Sequence, residues 1–283
     1  MRSTICACAL VLFLGTGASG ELVHRYSFND GTANDSVGGA NGIAVNGPTF
    51  SGGQIVFDPQ VNDGANTSPA TGQYVDLPNG IARHRALSIE VWTTYRGGSV
   101  WQRIVDFGNS TKGELLPSDK TTIGYEGHGF LILTHNVFGN MLGQISIDSW
   151  GDPADTDYSA ASVGLSTNVE HSIAFTHDPD AGSQALYLDG VKIAQTVARV
   201  DPSTSTWNNY FLGRSNFYRD PFYNGSLNEV RLYDNALSAE DIVRNYRLGP
   251  NAVVPEPMSL VLLLAGALTL LARRFFWASR KRP

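Results

Sequence analysis

The chain has 283 residues, of which 42% are hydrophobic, 10% aromatic and 16% charged, with a formal net charge of −6. That much apolar matter excludes a disordered polyelectrolyte and suits a packed core. Residues 21–250 hold 14 Lys and Arg against 25 Asp and Glu, a net of −11, which excludes nucleic acid as a partner held by counterion release.

At the N-terminus, Met1-Arg2, the apolar run Ile5–Leu14 and the small residues Thr16–Gly20 read as a secretory signal peptide over residues 1–20, cut near Gly20-Glu21. Both cysteines, Cys6 and Cys8, fall inside it, so the mature chain is expected to carry neither a disulfide nor thiolate chemistry. Short alternating runs follow. Leu22–Phe28, Gln54–Phe57, Gln73–Leu77, Leu87–Tyr95, Trp101–Phe107 and Phe130–Thr134 each read as a strand. So do Gln144–Asp148, His171–His177, Gln184–Leu188, Val191–Thr196, Tyr210–Gly213 and Ser226–Tyr233. Joints rich in Gly, Asn and Pro separate them. Asp189-Gly190 sits between two such runs and predicts a two-residue type I′ hairpin, because both residues tolerate positive φ. One helix is expected, capped by Ser238 with Asp241 three residues on, and stopped by Leu248-Gly249-Pro250. A dozen strands with one short helix predict a single all-β domain over residues 21–249, a two-sheet antiparallel sandwich.

The C-terminus has its own pattern. Residues 250–257 form a linker ending in Pro255-Glu256-Pro257, residues 258–272 carry no charge, and residues 273–283 are basic. At about 1.5 Å per residue the apolar run reaches roughly 22 Å, a short membrane helix against a ~30 Å hydrocarbon core. The cationic tail should stay cytoplasmic, leaving the body outside. The order Pro-Glu-Pro, apolar run, basic tail resembles the PEP-CTERM sorting signal of bacteria that make extracellular polysaccharide. The resemblance implies passage through the inner membrane, recognition by an exosortase, cleavage near Pro255, Glu256 and Pro257, and delivery to the cell surface or extracellular matrix.

The body has a second resemblance. Asn224-Gly-Ser-Leu-Asn-Glu-Val-Arg-Leu-Tyr-Asp-Asn-Ala-Leu-Ser-Ala-Glu-Asp-Ile242 is preceded in order by His24-Arg-Tyr-Ser-Phe-Asn-Asp-Gly31, Leu87-Ser-Ile-Glu-Val-Trp92 and Ala185-Leu-Tyr-Leu-Asp-Gly190. These blocks resemble the laminin-G-like jelly rolls of the concanavalin A-like lectin/glucanase fold and span residues 22–248. The chain departs from that family at Asn228, where Asp is common, and at Glu170, where Trp is common. The resemblance implies a jelly roll, but its members bind varied partners, so function must be argued from the site.

Catalysis is not expected. The Glu-x-Asp-x-x-Glu spacing that puts two carboxylates on one strand face is missing from the sequence, as are a His-x-x-x-His pair and a Gly-x-Ser-x-Gly elbow. A hard cation needs several oxygens, and the opening loop offers Asp30 and Asp35. First and last strands often meet in a jelly roll, so Glu229 joins them in a candidate structural Ca2+ site supported by the family resemblance. A second acid run is Asp152-Pro-Ala-Asp155-Thr-Asp157.

Sugars stack on exposed rings. Residues 207–223 interleave aromatic and hydrogen-bonding side chains, giving a candidate ligand-binding set of Trp207, Asn209, Arg214, Asn216, Tyr218, Arg219 and Tyr223. The competing reading is that these rings pin a long loop to the sandwich by burying apolar area. Trp150 and Tyr158 form a thinner second patch, while Trp92 and Trp101 read as core. The expected function is an exported surface or matrix protein with a non-catalytic, lectin-like jelly roll that holds carbohydrate or exopolysaccharide. The alternative is a structural or adhesive matrix protein acting through protein contacts.

Overall fold

The computed structural model describes residues 20–58, 61–62, 72–111, 113–115, 127–147, 154–217 and 220–252. In chain order the strands are β1 (Leu22–Tyr26), β2 (Ile43–Val45), β3 (Thr49–Ser51), β4 (Gln54–Val56) and β5 (Tyr74–Leu77). They continue with β6 (Leu87–Tyr95), β7 (Arg103–Ser110), β8 (Gly127–Val137), β9 (Asn140–Ser146) and β10 (Thr156–Ala161). The last five are β11 (Glu170–Asp178), β12 (Ser183–Leu188), β13 (Val191–Thr196), β14 (Asn209–Leu212) and β15 (Gly225–Tyr233), followed by helix α1 (Ala239–Leu248).

Two antiparallel sheets face each other. One has eight strands in the order β13-β12-β11-β6-β15-β4-β3, with β1 beside β15, and the other has seven in the order β10-β9-β8-β7-β14-β5-β2. β1 and β4 share one edge of β15: β4 pairs with Ser226 and Leu227, and β1 with Val230 to Tyr233. The period-two pattern explains the layers. Leu131 and Leu133 of β8, Val105 and Phe107 of β7, and Ile89 and Val91 of β6 point into the core between the sheets. Phe130 and Ile132 alternate outward and join a second cluster with Leu142.

Three strands were not expected. β2 and β3 are three residues long in Gly- and Asn-rich chain, and β10 begins inside the acid run, so none carries a readable alternation. β8 also runs longer than its apolar centre, and β9 starts at Asn140 rather than Gln144, because the turn between them is Phe138-Gly139, with φ of 50° and 89°. An aromatic residue in that left-handed region is not a turn signal. The Asp189-Gly190 hairpin follows the expectation, with φ of 50° and 76°. So does the capping box of Ser238 and Asp241.

Helix α1 lies on the outer face of the eight-stranded sheet, where Ile242 and Leu237 pack with Ala174, Ala185, Tyr187 and Tyr233. The chain then turns back over the same face. Arg231 Nη2 donates to the carbonyls of Pro250 (2.7 Å) and Ala252 (3.0 Å), and Asn29 Nδ2 donates to Asn251 Oδ1 (2.7 Å). Residues Gly249–Ala252, expected as the end of the domain and the start of a free linker, are therefore strapped to the body. No helix among the described residues is long and apolar enough to cross a membrane. Residues 1–19 of the signal peptide, the sorting residues Pro255, Glu256 and Pro257, and the segments 258–272 and 273–283 lie outside the described residues.

Candidate functional site

The outer face of the seven-stranded sheet is crossed by the chain between β14 and β15, and this crossing holds most of the expected ligand-binding set. The registers place Asp76, Phe211, Asp106, Ile132, Gln144 and Tyr158 in one row across that face. Asn216 lies over the centre of the row. Its Nδ2 donates to Asp106 Oδ1 (2.8 Å) and its backbone amide donates to Asp106 Oδ2 (3.1 Å). Arg103, only 2% exposed, sits between Asp106 (3.4 Å) and Asp220 (2.7 Å). Burial raises the pKa of both carboxyls, against the opposing pull of that guanidinium. Arg214 Nη1 donates to the Tyr74 hydroxyl at 2.7 Å, with the guanidinium 4.7 Å above that ring and 4.8 Å above Phe211.

These positions correct the expectation of exposed rings. Trp207 and Tyr223 are both 0% exposed and belong to the inter-sheet core. The Tyr223 hydroxyl shares a hydrogen bond with Thr93 Oγ1 at 2.8 Å. Asn209 is buried as well, accepting from the Leu115 amide (2.7 Å) and donating to the Gly113 carbonyl (3.0 Å). Arg214, Asn216 and Tyr223 therefore hold the crossing chain to the sandwich, while Asn209 ties residues 113–115 to β14 and Trp207 fills the core. Tyr218 and Arg219 lie outside the described residues.

The three expected calcium ligands do not converge on a cation site. Asp35 is buried, and its two oxygens accept from the amides of Arg25, Val37, Gly38 and Ala40 and pair with His24 Nδ1 at 2.7 Å. Burial pushes its pKa up, but those hydrogen bonds outweigh it and hold the carboxyl below the usual range. Glu229 is bound by Arg25 (Nε 2.5 Å) and Arg231 (Nε 2.7 Å), so guanidinium groups occupy the place a metal would take. Asp30 is exposed and closes a local turn with Thr32 and Asn34. Among the described residues, no group of three or more His, Cys, Asp or Glu side chains is placed to hold a metal ion. Asp157 of the acid run accepts from the amides of Arg199 (2.6 Å) and Val200 (2.7 Å) and is likewise structural.

Two arrangements were invisible in the sequence. Ser166 Oγ lies 2.7 Å from His171 Nε2, and His171 Nδ1 lies 2.8 Å from Asp189 Oδ2, the order of a nucleophile relay. Ser166 stands exposed on a loop, and the nearby Asn168 amide is turned to the Tyr95 carbonyl at 2.7 Å rather than toward a developing oxyanion. The second arrangement is Asp76 with Glu114. Burial raises the Asp76 pKa to about 7; Arg214 opposes this and Glu114 adds to it. Neither set has a spacing to read, since its members come from different strands and loops. The two family departures meet as well: Asn228 Nδ2 donates to Glu170 Oε1 at 2.7 Å.

Exposed rings stand elsewhere. Phe138 is 75% exposed and Tyr158 is 50% exposed. Trp101, expected in the core, is only partly buried, edge-to-face with Phe138 at 6.3 Å.

Residues 69–243 match the Laminin_G_3 family, whose description is "Concanavalin A-like lectin/glucanases superfamily". No curated protein sequence matches the chain. Among solved structures, the fold is similar to domain 4 of AbnA, a GH43 extracellular arabinanase from Geobacillus stearothermophilus, in complex with arabinotriose. That likeness has 16% identity and a TM-score of 0.58, covering 80% of this chain and 98% of that one. Another similar structure is the CBM40 of Ruminococcus gnavus IT-sialidase bound to alpha2,3 sialyllactose, with 18% identity, a TM-score of 0.45, and coverage of 57% of this chain and 82% of that one. At such identities the likeness is one of fold. The family match spans more than half of the chain, and the protein belongs to the concanavalin A-like lectin/glucanases superfamily.

Proposed function

We propose that the protein is an exported bacterial surface or matrix protein whose jelly roll binds carbohydrate without cleaving it. The observation that carries this reading is the likeness over 98% of a domain whose structure was solved with arabinotriose. A whole domain of similar architecture thus accommodates an oligosaccharide. The buried chemistry on the outer face of the seven-stranded sheet supports a binding rather than a hydrolytic role, because Asp106 is sealed by Asn216 and Arg103 and cannot serve a substrate as acid or base. The N-terminal apolar run and the Pro255-Glu256-Pro257 tail support export, passage through the inner membrane and sorting by an exosortase.

A glycan-array screen of the full chain, run with calcium and again with EDTA, tests the reading. Saturable binding to a defined glycan is expected, with no loss in EDTA, because Glu229 is already neutralised by arginines. A folded protein that binds nothing on the array would overturn the carbohydrate reading and favour a structural matrix role through protein contacts.

A further inference from the structure

We propose that Trp101 and Phe138 form a stacking platform for a neutral glycan, an inference that rests on the carbohydrate-binding reading and names its site. Both residues hold their backbones in the left-handed region, with φ of 67° and 50°. Large aromatic side chains rarely sit there, and such outliers persist where the surrounding structure over-determines them. Phe138 occupies the tip of the β8–β9 hairpin, where Asn, Asp or Gly is the usual occupant. The residue is 75% exposed, so burial offsets little of that strain.

The pair is nevertheless rigidly built. The two rings meet edge-to-face at 6.3 Å with an interplanar angle of 88°. The Trp101 amide donates to the Asn136 carbonyl at 3.0 Å, and Arg103 Nη1 donates to the Trp101 carbonyl at 3.1 Å. On the inner side the Arg103 guanidinium lies 5.0 Å from the Trp101 ring centre and 5.6 Å from that of Phe217, which in turn meets Phe130 at 5.5 Å. Trp101 is thus braced through Arg103 against the outer face of the seven-stranded sheet, and Phe138 through Trp101.

The chemistry around the rings selects the ligand. A sugar ring offers an apolar C–H face to an aromatic plane and hydroxyls at its edge. Hydrogen-bonding side chains stand beside the platform: Asn136 Oδ1 accepts from the Gly139 amide at 2.9 Å, and Asn140 Oδ1 accepts from Ser162 Oγ at 3.0 Å. The Asn136 side-chain NH2 has no partner among the described residues and remains a donor for a hydroxyl. The neighbouring cation, Arg103, is already paired with Asp106 and Asp220. Residues 21–250 carry a net charge of −11. A polyanionic chain would meet repulsion from that charge while the guanidinium beside the platform is already committed to two carboxylates, so the platform fits a neutral polysaccharide.

Phe138→Asn in the full chain tests the site. Asn suits the turn, so the variant should melt at the same temperature as the parent or higher. Its affinity for the neutral polysaccharide that the parent binds should fall at least tenfold in affinity electrophoresis, with arabinan, β-glucan, galactan and polygalacturonate as probes. The parent's Trp101 fluorescence should shift on titration with the bound glycan, and Trp101→Phe should abolish that shift while retaining binding. Unchanged affinity in Phe138→Asn would overturn the platform and leave the carbohydrate reading standing. A parent that binds polygalacturonate but no neutral glycan would overturn the ligand class. No binding to any probe or array glycan would overturn the reading and the platform together.

Discussion

Replacing His135 by Phe should make the protein more resistant to acid. His135 lies on β8 facing the core, 1% exposed, with its ring centre 3.9 Å from that of Tyr95 and 5.6 Å from that of Tyr223. Neither ring nitrogen has a hydrogen-bond partner among the described residues. Burial alone lowers its pKa from 6.5 to about 4. The unfolded chain therefore takes up a proton near pH 6.5 that the folded chain refuses until about pH 4, and stability falls as pH drops through that window. At about 1.4 kcal/mol per pH unit, the loss reaches about 2 kcal/mol at pH 5 and about 3 kcal/mol below the folded pKa. Asp76 and Glu90, both raised to about 7 mainly by burial, act in the opposite direction, because a carboxyl with a raised pKa favours the folded state as pH falls. The effect must therefore be read as a difference between parent and variant. Urea unfolding at pH 7.5 and pH 5.0 should show His135→Phe gaining about 2 kcal/mol on the parent between the two conditions. An identical difference at both pH values would refute a neutral, desolvated imidazole at this position.

Three further outcomes follow from side-chain geometry. Arg231→Met should destabilise the fold by about 3–5 kcal/mol in urea, since it leaves Glu229 and Glu90 with fewer counter-charges in the interior. It should also speed proteolysis near Gly249–Ala252, whereas a loss below about 1 kcal/mol would mean the strap does not depend on that guanidinium. Gly129→Ala should cost upward of about 2 kcal/mol, because φ is +52° and the new Cβ would lie 2.0 Å from the Ile147 carbonyl oxygen. Gly139→Ala shares the backbone strain, with φ of +89°, but has open space around its Cβ, so it isolates the clash and should lose less. A fluorophosphonate probe should leave Ser166 unlabelled despite its 2.7 Å approach to His171, as judged by intact-protein mass spectrometry. Stoichiometric labelling lost in Ser166→Ala would instead reveal a hydrolase.

Local signals in the chain determined the class of fold. Period-two runs such as Leu87–Tyr95 and Ser226–Tyr233 became neighbouring strands at the centre of one sheet. Asp189-Gly190 made its hairpin, and Ser238 with Asp241 made its cap, because each depends on residues within a few positions of one another. Which rings face solvent was a different kind of question. The density of aromatics at 207–223 was legible, but their direction was not. Burial of Trp207 and Tyr223 depends on what the second sheet supplies, and the crossing chain is held by partners such as Asp106 and Asn216, 110 positions apart. Asp35 and Glu229 read as metal ligands for the same reason, since acidity is local while their partners are set by the fold. For Glu229 the arginine at position 25, 204 residues away, arrives only when β1 pairs with β15. Exposure of Trp101 and Phe138 was likewise set by tertiary structure, because a strand-like run and a lone Phe-Gly turn carry no mark of which face other elements will cover.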